Sequence, residues 1–310
     1  IEFGYWPQTI RRWLREGMPL ALTPEEANVM FSAKIDAFFN LMMQQKASDL
    51  HMASGSPPIL RISGELRRVD YPPLESDSLK AMLYEIAPEI KVKQFEETGD
   101  VDFGYEIPGQ ARFRANFFNQ KYGCSAVFRQ IPSTVLSFED FEKFDAPLPP
   151  VLKKFPMMHK GLVLVTGPTG SGKSTTLAAM IDYANKNRHD HILTVEDPIE
   201  FVHQSKGCLV NHREVGMHTK SFASALKGAL REDPDVILVG ELRDLETVRL
   251  ALTAAETGHL VLSTLHTLDA VETINRIIAI FPPHQQKQIR YQLAATLMGV
   301  ISQRLVPRAD

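Results

Sequence analysis

The sequence predicts an α/β fold in which a parallel sheet, covered by helices on both faces, follows a smaller α+β domain. The chain has 310 residues, which is enough for two domains of ordinary size. Before about residue 131, short strand-like runs are punctuated by Gly and Pro. After Gly161, nearly continuous apolar runs alternate with longer helical patterns, as in parallel sheets whose strands are buried on both faces.

The first part of the chain mixes predicted helices and strands. Apolar residues at helical spacing predict helices over 33–45 and 77–86. The predicted strands are Leu50–Ala53, Ile59–Ile62, Glu65–Val69, Val101–Ile107, Arg112–Asn119 and Ser125–Gln130. This mixture predicts an α+β domain over residues 33–131, whereas residues 1–32 have no assignment.

A connector is predicted over residues 132–160, with a proline-rich run at 146–150. The second domain is predicted over residues 161–310. Its strands are Leu162–Thr166, His191–Val195, Val236–Gly240 and His259–Leu265. Its helices are Lys173–Lys186, Ser221–Arg231, Leu245–Thr257 and Asp269–Phe281. The alternation of these elements predicts the parallel sheet.

Composition excludes several classes of function. Hydrophobic residues make up 44% and charged residues 23% of the chain, as in globular proteins. No apolar run approaches the roughly 18 residues of a membrane-spanning helix, and the first residues do not resemble a secretory signal. We therefore expect a cytoplasmic protein without direct membrane insertion. The net charge of −3 argues against a basic nucleic-acid-binding surface. Two distant cysteines, Cys124 and Cys208, are too few for a tetra-cysteine zinc site.

A phosphate-binding motif begins directly after the strand predicted at 162–166. Residues 167–174 read GPTGSGKS and match G-x-x-x-x-G-K-[ST] between a strand and a helix, which is the context that a P-loop requires. Its glycines allow a tight turn whose N–H groups face phosphate oxygens, at the positive end of the helix dipole. Lys173 is expected to neutralise the β- and γ-phosphates of ATP, and the Ser174 hydroxyl to bind Mg²⁺. The predicted nucleotide-binding residues are Gly167, Pro168, Thr169, Gly170, Ser171, Gly172, Lys173, Ser174 and Thr175.

Two acidic clusters follow predicted strands, at the sheet edge where open α/β folds bind ligands. Glu196, Asp197 and Glu200 come after the strand 191–195. Glu241 follows an apolar strand, which resembles a Walker B pattern. Hydrolysis needs a carboxylate that activates water and an oxygen ligand for Mg²⁺, so both clusters are candidates. The alternative for each cluster is a set of ordinary surface carboxylates.

The order of these motifs resembles the secretion-ATPase superfamily, which drives type II secretion and type IV pili. The resemblance covers residues from about 48 to 307. It is carried by the P-loop, the acidic box 196–200, GELRD at 240–244, and the segment from Thr257 to His266. The segments SDLH at 48–51, PP at 57–58 and RFR at 112–114 match the family's first, PAS-like domain. Long strings at 116–120, 229–235 and 250–259 are most similar to the pilus-retraction members.

The resemblance implies a RecA-like P-loop core and a hexameric ATP-hydrolysing motor for type IV pilus retraction. It implies that Glu200 activates water and that Glu241 is the Walker B residue, which binds Mg²⁺ directly or through water. His259 and His266 fall on the family's His box, which contacts the nucleotide or links it to the subunit interface. Without the resemblance, both histidines would be interpreted as structural, because their spacing is not a zinc pattern.

A ring ATPase often receives an arginine from the neighbouring subunit at the γ-phosphate. Arg114 and Arg129, on predicted strands of the first domain, resemble the arginines that the superfamily brings to the shared site. Arg112 is an alternative, and each of the three could instead be a solvated residue on a strand face. Arg243 and Arg249 are left out of the catalytic set because they could pair with Glu241 or Asp244.

The resemblance also implies partners: further copies in a homo-hexamer, an inner-membrane platform protein and other pilus machinery at the cytoplasmic face. Pilus extension and type II secretion ATPases typically carry a tetra-cysteine zinc insertion. This chain lacks the cysteines, and its segment from Glu241 to His266 is too short for such an insertion, so retraction is favoured. A RecA-type nucleic-acid motor would need a basic channel with stacking aromatics, which the sequence does not show. A non-hydrolysing accessory paralogue is disfavoured because the catalytic positions are filled. The family continues beyond the position of Asp310 with a helical region, so we expect a truncated end at which coupling to retraction is at risk.

Overall fold

The computed structural model describes residues 33–131, 135–142 and 150–306. Predictions that fall on residues 1–32, 132–134, 143–149 and 307–310 lie outside this range. The described chain divides into two compact units, one with residues 33–101 and 115–130 and the other with residues 102–114 and 131–306. The assignment of residues 33–131 and 161–310 to separate domains, joined by a connector, stays a prediction.

Residues 33–131, as the structure describes them, form three helices and six strands. Its elements are α1 (Asp36–Gln44), β1 (Asp49–Ala53), β2 (Ile59–Ile62), β3 (Glu65–Arg68), α2 (Ser76–Ile86), α3 (Glu89–Thr98), β4 (Asp100–Ile107), β5 (Ala111–Gln120) and β6 (Gly123–Ile131). The strands lie in one sheet in the order β3-β2-β1-β6-β5-β4, and β1 pairs antiparallel with both β2 and β6. This confirms the predicted mixture of helices and strands, whereas its PAS-like character stays a prediction.

Aromatic side chains form the core of the first unit. Phe128 on β6 contacts Phe39 on α1 edge to face, with ring centroids 4.9 Å apart, and Phe117 on β5 at 6.0 Å. Phe95 on α3 contacts Phe117 in the same geometry. Such pairs stabilise a core by about 0.5–1.5 kcal/mol each beyond burial alone. They fix α1 and α3 on the sheet.

The second unit is an α/β structure built on a six-stranded parallel sheet. Its elements after residue 131 are α4 (Phe138–Glu142), α5 (Val151–Lys154), β7 (Gly161–Thr166), α6 (Lys173–Asn187), β8 (His191–Glu196), β9 (Leu209–Glu214), α7 (Phe222–Ala229), β10 (Val236–Val239), α8 (Leu245–Glu256), β11 (Leu260–Leu265), α9 (Ala270–Ala279), α10 (Pro283–Thr296) and β12 (Leu297–Ser302). The strand order is β12-β7-β11-β10-β8-β9, and every neighbouring pair is parallel. The predicted fold class is confirmed.

The central strands are buried on both faces. All residues of β7, β10 and β11 are buried, because apolar clusters that include α6 on one side and α7 to α10 on the other cover the sheet. The helices begin at capping side chains: Asp244 accepts a hydrogen bond from Thr247 N, and Asp269 from Glu272 N. Because all six strands are parallel, their carboxyl ends lie at the same edge of the sheet.

Within the described residues, no helix is long and apolar enough to span a bilayer. Cys124 and Cys208 are both free and buried, and burial raises the pKa of each thiol. The predicted connector contains the short helices α4 and α5 in its described parts.

Candidate functional site

The P-loop follows β7 and leads directly into α6. Gly167, Gly170 and Gly172 have φ values of +145°, +81° and +86°, which L side chains rarely adopt. Gly167 also has no room for a side chain, because a Cβ atom there would lie 2.2 Å from the carbonyl oxygen of Gln303 and 2.7 Å from Ser171 Oγ. The loop therefore needs glycine for its conformation and, at Gly167, for close approach of the segment after β12.

Lys173 starts α6 and folds back over the loop. Its Nζ donates to the carbonyl oxygens of Gly167 and Pro168 at 2.9 and 3.0 Å and lies 3.5 Å from His266 Nδ1. Burial lowers the pKa of the ammonium group, while the charges of Glu241 and Glu200 act in the opposite direction. The lysine charge is thus held over the loop, and both predicted catalytic carboxylates favour it electrostatically.

Glu241 lies at the carboxyl edge of the sheet, two residues after β10. Its carboxylate pairs with Arg243 Nη2 at 2.7 Å and lies 3.6 Å from Nε2 of His266, which follows β11. The side chain of Glu241 is 19% exposed. The pairing of Arg243 with Glu241 matches the prediction that kept Arg243 out of the catalytic set. His266 thus lies between Lys173 and Glu241.

Glu200 ends the turn that follows β8, and two buried carboxylates hold this turn through its backbone. Glu196 Oε2 accepts a hydrogen bond from Glu200 N at 3.1 Å, and Glu214 Oε2 accepts one from Ile199 N at 3.1 Å. Glu196 and Glu214 are 8% and 4% exposed, and they face each other in register at the ends of β8 and β9. The turn that carries Glu200 is therefore anchored at two consecutive amide groups.

Arg112, in the 102–114 segment of the second unit, joins this network. Its guanidinium donates to the carbonyl oxygen of Ile199 at 3.1 Å and to Glu214 Oε2 at 3.3 Å. Gly104 leaves the space for it, because a Cβ atom there would lie 2.5 Å from Arg112 Nη2. Arg112 therefore supplies the positive charge that a buried Glu214 carboxylate requires.

Three other residues were predicted to be catalytic, and their side chains make different contacts: His259, Arg114 and Arg129. His259 precedes β11, and its Nδ1 is hydrogen-bonded to the carbonyl oxygen of Ala254 at 2.9 Å. It therefore lies at the amino end of the strand whose carboxyl end leads to His266. Arg114 pairs with Asp102 at 3.3 Å, and Arg129 with Asp49 at 2.9 Å. The catalytic roles predicted for these three residues stay predictions.

The donor chemistry at the loop fits Mg²⁺ bound together with a nucleotide. Among the described residues, no group of three or more His, Cys, Asp or Glu side chains is arranged to hold a metal ion. Nucleotide-bound Mg²⁺ usually takes only one or two protein oxygens, and the remaining ligands are phosphates and water. The hydroxyl of Ser174 and the carboxylate of Glu241 are oxygen donors of the kind that Mg²⁺ prefers.

A cavity of about 280 Å³ opens beside Glu241 and His266. It is lined by Glu241, Leu242, Arg243, Leu265, His266, Thr267, Glu272 and Arg276. Two of its lining residues thus belong to the cluster at the P-loop. The site combines a phosphate-binding loop, Lys173, the Glu241 carboxylate and His266, and the charge of Glu200 acts on Lys173. These are the kinds of group that phosphoryl transfer to water uses.

Known proteins are similar over most of this chain. A family profile described as Type II/IV secretion system protein matches residues 25–310. The type IV pilus retractation ATPase PilT of Pseudomonas aeruginosa is 55% identical over 265 residues, which cover 86% of this chain and 76% of that protein. A twitching motility protein of Neisseria gonorrhoeae is 48% identical over 278 residues, which cover 88% and 73%.

Solved structures agree with the sequence comparison. The crystal structure of the pilus retraction motor PilT with bound ADP matches with a TM-score of 0.82 at 48% identity, covering 90% of this chain and 80% of that chain. The ATPase DotB of Legionella pneumophila matches with a TM-score of 0.78 at 30% identity, covering 94% and 79%. The chain therefore belongs to the Type II/IV secretion system protein family.

Proposed function

We propose that this chain is an ATP-hydrolysing motor that retracts a type IV pilus. One observation carries the proposal: Lys173, Glu241 and His266 meet beside the P-loop, and the Glu200 carboxylate lies close enough to act on the pKa of Lys173. The similarity to PilT of Pseudomonas aeruginosa, whose name describes pilus retraction, supports the biological role. ADP in the similar crystal structure supports nucleotide as the ligand.

In the proposed reaction, the backbone N–H groups of residues 167–173 bind the phosphate chain of ATP, and Lys173 neutralises the β- and γ-phosphates. Glu200 orients a water molecule and accepts its proton as the water oxygen bonds to the γ-phosphorus. The bond from the γ-phosphorus to the bridging oxygen breaks, and ADP and inorganic phosphate leave. Bound Mg²⁺, held by Ser174 and Glu241, would neutralise phosphate charge. The anchored turn fixes Glu200 in place for this role.

His266 occupies a bridging position in this reaction. Its ring lies 3.5 Å from Lys173 Nζ and 3.6 Å from the Glu241 carboxylate, so it contacts both groups that respond to the γ-phosphate. We assign it the role of orienting these two groups. For His259 we propose only the family's role at a subunit interface, because its side chain is bound to the backbone at the start of β11.

The motor is proposed to work as a homo-hexamer at the cytoplasmic face of the inner membrane, against a platform protein of the pilus machinery. In a ring, Arg114 and Arg129 are the candidates for the arginine that completes a neighbouring site. Both guanidinium groups are substantially exposed, at 43% and 65% of the side chain, although each has an acidic neighbour. An arginine supplied from a neighbour typically contributes on the order of 10³–10⁵ in rate.

The test is complementation of a bacterium that extends pili but lacks its retraction ATPase. Expression of the chain is expected to restore retraction and twitching, and the Glu200→Gln variant, expressed at the same level, is expected to restore neither. An active ATPase that leaves pili extended, even when the chain is continued after Asp310 by the corresponding helical region of a retraction ATPase, would contradict the retraction role while leaving the enzymatic role intact. Restored retraction by Glu200→Gln would contradict the enzymatic role and favour an accessory subunit.

A further inference from the structure

Two buried polar atoms beside the P-loop lack a hydrogen-bond partner among the described residues. They are Ser171 Oγ and Gln303 Oε1. Ser171 is only 3% exposed. A buried polar atom without a partner loses its hydrogen bonds to water and gains none in return, so native proteins rarely retain one without a functional reason.

Gln303 lies along the loop from its first glycine to its last. Its backbone N donates to the carbonyl oxygen of Thr166 at 2.7 Å, which continues the pairing of β12 with β7. Its carbonyl oxygen is the atom that a Cβ at Gly167 would meet at 2.2 Å, and its Nε2 lies 3.5 Å from the position of a Cβ at Gly172. The carboxamide thus reaches the amino end of α6, where phosphates bind in the proposed function.

We propose that Gln303 is a nucleotide-binding residue whose carboxamide, together with the Ser171 hydroxyl, hydrogen-bonds to the nucleotide in the P-loop. This inference rests on the proposed function, because it assigns an additional contact to the same ligand. A carboxamide offers both donor and acceptor chemistry. Nε2 can donate to a phosphate oxygen, and Oε1 can accept from a sugar hydroxyl. The Ser171 hydroxyl can donate to a phosphate oxygen, and the unpaired Oε1 gains a partner when it accepts from the sugar hydroxyl.

The backbone of Gln303 is fixed independently of its side chain, so substitution of the side chain leaves the P-loop support in place. A side chain that serves only the fold would stabilise the protein in the absence of ligand. A side chain that serves the ligand, with a buried atom unpaired until binding, would not. Stability without nucleotide and affinity for nucleotide therefore separate the two roles.

The variant Gln303→Met replaces the carboxamide by an unbranched apolar chain of similar length. We expect its dissociation constant for ADP, measured by calorimetry on the full chain, to rise about 5- to 50-fold, as for loss of one hydrogen bond to a charged or polar ligand. Its melting temperature without nucleotide should equal or exceed that of the wild type, by up to about 4 °C. The matched control is Gln292→Met on α10, where the carboxamide bonds to Glu256 away from the loop. It should leave ADP affinity unchanged.

Pyrophosphate separates the two contacts. Weaker binding of both pyrophosphate and ADP would support a phosphate contact, and weaker binding of ADP alone would support a sugar contact. Unchanged ADP affinity in Gln303→Met, with a wild type that binds ADP, would overturn the inference. A lower melting temperature without nucleotide would also overturn it, because the side chain would then serve the fold. A wild type that does not bind ADP would overturn the inference together with the proposed function.

Discussion

Replacing Gly167 by Ala tests how tightly the end of β12 packs against the P-loop. Gly167 has a φ of +145°, and an added Cβ would lie 2.2 Å from the carbonyl oxygen of Gln303. The oxygen is a backbone atom, and its chain is tied to β7 by the hydrogen bond from Gln303 N to Thr166. The contact therefore cannot be relieved by a rotation of a side chain. Gly170 is a matched control, because its φ is +81° but no other atom lies within 4 Å of its added Cβ.

The magnitude follows from these two geometries. The Gly170→Ala variant pays mainly the backbone penalty, about 1–2 kcal/mol. The Gly167→Ala variant adds an overlap of about 1.3 Å, the difference between an ordinary contact of about 3.5 Å and the 2.2 Å found here. Overpacking of this kind typically costs about 1–3 kcal/mol. We therefore expect Gly167→Ala to reduce the free energy of unfolding by about 2–5 kcal/mol, more than Gly170→Ala.

The assay is urea unfolding of both variants and the wild type without nucleotide, with the slope of each transition compared to confirm that the unfolded states are alike. Equal destabilisation by the two variants would show that the segment after β12 does not confine Gly167. A Gly167→Ala variant as stable as the wild type that binds ADP normally would contradict the close packing even more directly.

Four further predictions concern the site and its surroundings. Glu200→Gln should keep its affinity for ATP and lose at least about 100-fold in kcat, since a general base is removed; rapid turnover with normal binding would contradict the base assignment. Glu214→Ala should lower kcat about tenfold with little change in KM, because the turn carrying Glu200 loses one anchor. Glu214→Gln keeps an acceptor oxygen for Ile199 N, so its kcat should fall less. A change in KM alone would point to another role for Glu214. Arg114→Ala and Arg129→Ala should lower turnover only under conditions where rings form, and losses that persist in monomers would contradict a role at a neighbouring site. Burial, reinforced by the charge of His212, lowers the pKa of His203 to about 4, so the unfolded chain binds more protons than the folded chain between pH 4 and 6.5. The free energy of unfolding should therefore fall by about 3 kcal/mol as the pH is lowered through that range. Urea unfolding at several pH values should show a weaker pH dependence of stability for His203→Gln, and an unchanged dependence would contradict His203 as its origin.

The central strands could be predicted from sequence because both of their faces are buried. The apolar runs of β7, β10 and β11 leave little choice of structure. In contrast, β9 reads LVNHRE and lies at the edge of the sheet, where polar residues are tolerated, so its sequence carries no clear apolar signal. The sequence of α3 is rich in charged residues and did not predict a helix. In the structure, Phe95 packs this helix against the first unit.

Site residues could be predicted where a sequence motif requires particular side chains, but not where only tertiary contacts bring a residue to the site. Lys173 and Glu241 could be named because the P-loop and the end of an apolar strand mark them, whereas His266 could be named only through the resemblance to the family's His box. The role of Glu214 could not, because it accepts a hydrogen bond from a backbone amide 15 residues earlier in the chain, on a neighbouring element. Gln303 carries no sequence signal at all, since its relation to the loop arises only from the pairing of β12 with β7.

The central claim is that the cluster around Lys173 hydrolyses ATP as part of a ring. The most direct measurement is steady-state ATP hydrolysis over a range of protein concentrations, with the molar mass determined by light scattering at each point. We expect turnover per subunit to rise as hexamers form. Turnover that is independent of assembly would contradict the shared site, and absence of turnover at every concentration would contradict the motor itself.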